Sequence, residues 1–122
     1  MIAADTSTWI SFFEGRQGDD VLALISALQS RQVVMPPPVL TELLSDPELS
    51  PSVAQTLLEL PLMELREGFW HRAGKLRAKA LARKRKARLG DALIAQCCVD
   101  LDIALITRDG DFEVFSEYLD LI

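Results

Sequence analysis

The 122-residue chain predicts an α/β fold: one domain over residues 1–122, built on a short, mostly parallel central sheet flanked by helices on both faces. Three observations predict it. Short apolar runs bounded by polar or turn residues, Ile2–Ala4, Val33–Met35 and Ile103–Ile106, have the length of buried strands. Segments with apolar residues at helical spacing lie between them, and strands that alternate with helices imply parallel pairing. Hydrophobic residues make up 49% of the chain, which suits one core and argues against disorder.

Asp5 closes the first run, and Thr8 to Phe13 carries the first turns of a helix. Gly15 to Gly18 is a loop. Asp19 and Asp20 can cap a helix whose Val21, Leu22, Leu24, Ile25 and Leu28 fall at helical spacing. Pro36, Pro37 and Pro38 end the second run and open the next helix, because proline is tolerated in a first turn. There Val39, Leu40, Leu43 and Leu44 span an arc of ~140°, and Glu42 falls ~60° outside it, leaning over the rim of the core. Ser45-Asp46-Pro47 stops this helix, and Ser50-Pro51 starts another that runs to about Glu59. Leu62 to Leu65 is a strand candidate. Arg66 to Ala87 reads as one long helix with a cationic second half. Leu89-Gly90-Asp91 resets the chain before an apolar helix from Ala92 to Leu101. Thr107 to Phe112 ends the Ile103 run, and Leu119 to Ile122 is a candidate last strand.

Several chemistries are excluded early. Cys97 and Cys98 are neighbours in a helical pattern, so they point about 100° apart and make neither an ordinary disulfide nor a CxxC zinc site. His71 is the only histidine, which weakens histidine-based zinc sites and nucleophilic triads. No apolar run reaches the roughly 18 residues that span a bilayer. The N-terminus lacks the pattern of a signal peptide, so a cytoplasmic protein is expected.

Ligands of open α/β sheets bind outside the carboxyl ends of the strands. Asp5 and Asp109 follow buried strands, Asp91 begins an apolar helix, and Glu42 borders an apolar face. Each has a plain alternative, as a helix cap, a turn residue or a solvated acid. Together they fall at one end of one sheet. Two such charges ~5 Å apart repel by roughly 3 kcal/mol at an effective dielectric of ~20, a heavy load for a domain worth ~5–15 kcal/mol. Either some acids protonate or a divalent cation binds, and oxygen-only ligands favour Mg²⁺ or Mn²⁺. With Thr6, Ser7 and Thr107 nearby, such a site suits phosphodiester hydrolysis.

The sequence also resembles a known family, the PIN domain, and within it the VapC-type ribonuclease toxins. The matching residues are Asp5-Thr-Ser, Pro-Pro-Val-Leu-Thr-Glu42-Leu-Leu, Arg88-Leu-Gly-Asp91-Ala-Leu-Ile-Ala and Leu-Ile-Thr107-Arg-Asp109-Gly-Asp111-Phe, in order along nearly the whole chain. The resemblance implies a metal-dependent endoribonuclease toxin with Asp5, Glu42, Asp91 and Asp109 as catalytic residues that ligate Mg²⁺ or Mn²⁺ directly or through water. Asp111 would help hold a second metal or orient the first. Thr6, Ser7 and Thr107 would be polar support. It also implies an RNA substrate, a homodimer and a cognate VapB-type antitoxin in the active-site groove. Gly90 departs from the pattern, where proline or another residue is common.

The net charge of −5 argues against a simple basic nucleic-acid binder, but the charge is uneven. Arg72 to Arg88 holds nine Lys or Arg and no acid. Lys75, Lys79, Arg83, Lys84, Arg85 and Arg88 are the candidate RNA contacts of a phosphate-tracking surface. A solvated helix face, or a grip on an acidic antitoxin tail, is the alternative. Trp9, Phe12, Phe13 and Trp70 are read as core, with a groove for a partner helix as the alternative. Receiver and haloacid-dehalogenase-type readings fail, the second because Ser7 stands where an acid is needed. The remaining competitor is a non-catalytic protein- or RNA-binding module whose acids are only caps.

Overall fold

Two three-residue strands form the centre of the molecule in the computed structural model, which describes residues 1–122. Strand β1 (Ile2–Ala4) pairs in parallel with β2 (Ala104–Ile106), with Ala3 opposite Leu105. Successive strand residues point to opposite faces, and Ala3, Ala4, Leu105 and Ile106 are all fully buried. Both faces of the sheet are therefore covered, as expected.

Between the strands run α1 (Thr6–Phe13), α2 (Asp19–Gln29), α3 (Pro37–Leu44), α4 (Pro51–Leu58), α5 (Phe69–Ala82) and α6 (Leu89–Leu101). A short 3₁₀ helix, Gly110–Phe115, follows β2. The other expected strands are reduced to single parallel bridges: Ile2 with Val33, Met35 with Leu62, and Leu105 with Leu121. Pro36 directly after Met35 and Pro61 directly before Leu62 lack the N–H that would extend the pairing there. The order across the sheet is Leu121, β2, β1, Val33 to Met35, then Leu62.

The expected long helix from Arg66 to Ala87 is shorter. It begins at Phe69, behind Gly68 at φ 83°, and ends at Ala82. Lys84 adopts φ 56°, its N–H reaches Leu81 O (2.9 Å), and the Arg85 N–H reaches Ala80 O (3.0 Å). This is a Schellman closure with lysine where glycine is usual. Arg31 (φ 54°) and Asp102 (φ 53°) close α2 and α6 in the same way. Residues Arg83 to Arg88 thus form a cationic loop into α6 instead of a helix face.

One core holds the layers together. Trp9, Leu24, Met35, Leu57, Phe69, Ile94, Leu105, Ile106, Phe112 and Phe115 are its largest fully buried members. Cys97 and Cys98 are free and buried, and burial pushes both thiols up to about 12, so neither is a nucleophile. His71 is exposed. No helix is long and apolar enough to cross a membrane.

Candidate functional site

Asp5 follows β1 and is the N-cap of α1. Its carboxylate is almost fully buried and well supplied with donors. The Thr8 N–H (3.0 Å) and the Ser7 hydroxyl (2.9 Å) reach Oδ1, and the Thr107 hydroxyl (2.7 Å) reaches Oδ2. Burial still raises its pKa, against the lowering by these bonds. Thr107 also accepts the Asp109 N–H at 2.9 Å. One hydroxyl thus ties the ends of β1 and β2 together at the carboxyl edge of the sheet.

Asp109 caps the 3₁₀ helix, its Oδ1 accepting the Asp111 N–H at 2.9 Å. Asp91 was expected to begin its helix. In fact α6 starts two residues earlier, with Arg88 at the N-cap, and places Asp91 in the first turn. Carboxylate oxygens of Asp91, Asp109 and Asp111 lie within 4.8 Å of one another. Asp91 Oδ2 is buried and has no hydrogen-bond partner. Burial, then the charge of Asp109, pushes its pKa up to about 6, with smaller contributions from Glu42 and Asp111 and opposition from Arg88.

Glu42 is exposed on α3, and the Thr6 hydroxyl donates to its Oε1 at 2.7 Å. Its Oε2 faces Gly90, where an added Cβ would sit at an ordinary 3.6 Å. The Gly90 departure is therefore sterically neutral. The structure brings Asp91, Asp109 and Asp111 into one trio. Asp5 joins through Thr107, and Glu42 joins through Thr6 on one side and Gly90 on the other. Ser7 holds Asp5.

The basic segment runs beside the chain that leads away from the trio. Lys79 lies 5.0 Å over the Tyr118 ring, Arg83 meets Glu117 at 3.2 Å, and Lys86 meets Asp111 Oδ2 at 3.0 Å. Lys75, Lys84, Arg85 and Arg88 have no ion-pair partner within 4.0 Å. Two apolar grooves of about 330 Å³ each flank Glu42. Ile10, Phe13, Leu43 and Leu49 line one; Pro37, Pro38, Leu65, Trp70, Leu89 and Leu93 line the other. Trp70, expected in the core, is 67% exposed, whereas Trp9 is buried beside Phe12 and Phe13.

Three features escaped the sequence reading. Arg108 donates from Nε and Nη2 to the two oxygens of Asp20 (2.8 and 2.9 Å), and Thr8 donates to the same carboxylate. Gly18, not Asp19 or Asp20, is the N-cap of α2. Lys86 was one cation among nine, and only its contact with Asp111 singles it out.

The PIN domain profile matches residues 2–118. The chain belongs to the PIN domain family. No curated protein sequence matches it. Solved structures with the same fold include FitAcB from Neisseria gonorrhoeae (TM-score 0.72, 17% identity, covering 100% of this chain and 96% of that one). VapBC2 from Rickettsia felis, bound to a promoter DNA fragment, is similar to the same degree (TM-score 0.72, 18% identity, 100% and 98%). VapBC-5 from Mycobacterium tuberculosis, a member of a family of toxin-antitoxin systems, follows at TM-score 0.65 and 17% identity, covering 99% and 94%. At these identities the likeness is one of fold, and it spans this PIN domain from end to end.

Proposed function

We propose that this PIN domain is a VapC-type toxin: an endoribonuclease that depends on Mg²⁺ or Mn²⁺ and is held in check by a cognate VapB-type antitoxin. The observation that carries the reading is Asp91 Oδ2, a buried carboxylate oxygen without a donor, beside two further carboxylates. A buried polar atom of this kind costs roughly 1–3 kcal/mol unless a ligand satisfies it. All available donors are hard oxygens, which fits a small divalent cation.

Asp91, Asp109 and Asp111 would hold the ion, with Asp5 and Glu42 acting directly or through water. Such an ion supplies a Lewis acid that lowers the pKa of water and offsets the charge growing on the phosphodiester. The chain's own residues do the rest. Ser7, Thr8 and Thr107 fix both oxygens of Asp5, and Thr6 fixes Glu42, so neither acid must reorganise when substrate arrives. The cationic loop supplies a surface for the RNA backbone beside an otherwise acidic body.

The likeness in fold to VapBC2 and to VapBC-5, a member of a family of toxin-antitoxin systems, supports an antitoxin partner here, and the apolar grooves that meet at Glu42 suit a partner helix. A homodimer and a cytoplasmic location belong to the same proposal. Purified protein free of antitoxin, incubated with defined RNAs in Mn²⁺ or EDTA, tests the activity. Mapped cuts that appear only with metal support it. Absence of any cleavage in Mn²⁺ would leave a non-catalytic binding module.

A further inference from the structure

The only cation in contact with the acidic trio is Lys86. Its Nζ lies 3.0 Å from Asp111 Oδ2, and its side chain is 57% exposed. It is not carried there by a helix. The chain leaves α5 through left-handed Lys84, and the loop from Arg83 to Arg88 then meets the following segment at Glu117 through Arg83 and at Asp111 through Lys86. The next cation along, Arg88, lowers the pKa of Asp91. The loop therefore sets an ammonium at the rim of the trio, on the side where the cationic surface meets the acids.

An ammonium has three donors and can keep one on Asp111 while giving the others to a second anion. When a dication takes the trio, the negative charge that held Lys86 is largely neutralised. The geometry points to Lys86 as the residue that grips the phosphate about to be cleaved, and that occupies Asp111 until metal and RNA arrive. This rests on the nuclease reading and goes beyond it. The cationic surface becomes more than a track for the backbone, because one of its members belongs to the reacting centre. It also makes the lysine a competitor of the metal in the free protein. A purely decorative rim pair would do neither.

The test uses the full chain with Lys86→Met and Lys86→Arg. Mn²⁺ titration of the RNA-free protein, followed by thermal shift, should show Lys86→Met binding metal about 2–5-fold more tightly, the scale of a partly exposed ion pair. At saturating Mn²⁺ and RNA, single-turnover cleavage by Lys86→Met should fall at least ~10-fold, short of the roughly 10²–10³-fold cost of losing a buried oxyanion donor because Lys86 is half exposed, and Lys86→Arg should restore part of it. The thermal shift also reports that each variant is folded. Cleavage by Lys86→Met at the wild-type rate overturns the assignment, whether or not metal binding tightens. Slower cleavage with unchanged metal affinity overturns the claim that Lys86 competes for Asp111. If the wild type cleaves nothing, the nuclease reading falls and this assignment with it.

Discussion

Asp20 and Asp91 occupy equivalent places, each in the first turn of a helix, yet the fold treats them in opposite ways. Asp20 receives two nitrogens of Arg108 and the Thr8 hydroxyl, and these bonds hold its pKa below the ordinary carboxylate value. Asp91 receives further carboxylates and keeps one buried oxygen without a donor, and its pKa rises to about 6. A second neutralised acid, Asp100, is gripped by Arg72 and Gln96 in the same manner as Asp20. The chain thus has ready means to satisfy an acid between helices. At Asp91 it does not use them, which is the arrangement expected where the missing charge comes from outside.

Asp91→Asn breaks that contrast most strongly. Mn²⁺-dependent RNA cleavage should fall by about 10³-fold, equivalent to ~4 kcal/mol of lost transition-state stabilisation. The stabilisation of the protein by Mn²⁺ should be lost as well. Without metal the effect reverses. A carboxyl whose folded pKa is raised opposes folding once it ionises, so at pH 7.5 the Asn variant should be more stable by about 1–2 kcal/mol, allowing for solvent screening. For the same reason the metal-free wild type should gain stability as pH falls from 7.5 towards 5, and the Asn variant should gain less. A metal-free Asn variant that melts below the wild type at pH 7.5 would mean that Asp91 is structurally satisfied.

Arg108→Met applies the opposite test to Asp20. It leaves an acid that is 7% exposed without its cation, and stability should drop by more than the loss of a surface ion pair but by less than the loss of a fully buried one, because Arg108 is itself partly exposed. Asp20 and Asp100 have lowered folded values, so their contribution is complete above the unfolded value of 3.8 and fades as pH falls through the folded values. The metal-free protein should therefore be most stable near pH ~4, gaining through the cleft as pH falls towards that value and losing through the two ion pairs below it. Urea melts at half-unit pH steps check this. A monotonic profile would show that the two sets of acids do not differ as described.

A smaller effect is expected outside both regions. Replacing Arg83, Lys84 and Arg85 with Ser leaves the trio and Lys86 in place but thins the cationic loop. RNA binding should weaken, and the slope of log affinity against log salt should become shallower by up to about 2, or ~0.7 for each phosphate contact with a single strand. Filter binding at several salt concentrations measures it. Unchanged affinity and slope would free these three cations for contact with an acidic antitoxin tail instead.

Local pattern revealed the parts of the molecule that local pattern controls. Ile2 to Ala4 and Ala104 to Ile106 are short apolar runs buried on both faces, and the acids after them stand at the strand ends for that reason alone. The pairing of Asp20 with Arg108 spans 88 residues and leaves no periodic trace. The contact of Lys86 with Asp111 was hidden too, because it depends on where α5 stops. Val33, Leu62 and Leu121 look like strand residues, yet each makes a single bridge, and Pro36 and Pro61 stand beside the bridge between Met35 and Leu62. The end of α5 was missed because glycine is the usual mark of a left-handed closure, and Lys84 stands there instead.

The hidden closures give the smallest and most local prediction. Helices α2 and α6, which carry Asp20 and Asp91 at their first turns, both end on a left-handed residue, Arg31 and Asp102. If their C-termini are equivalent, the contrast between the two helices lies wholly at their N-termini. An L-residue in this conformation costs roughly 1–2 kcal/mol, glycine avoids most of that cost, and glycine's greater freedom in the unfolded chain returns part of it. Arg31→Gly should therefore stabilise the protein by about 0.5 kcal/mol. Asp102→Gly should gain less, because aspartate tolerates the left-handed region better than arginine does. Denaturant midpoints with unchanged slopes would show both effects. A loss of stability in Arg31→Gly would mean that its side chain does more for α2 than close it.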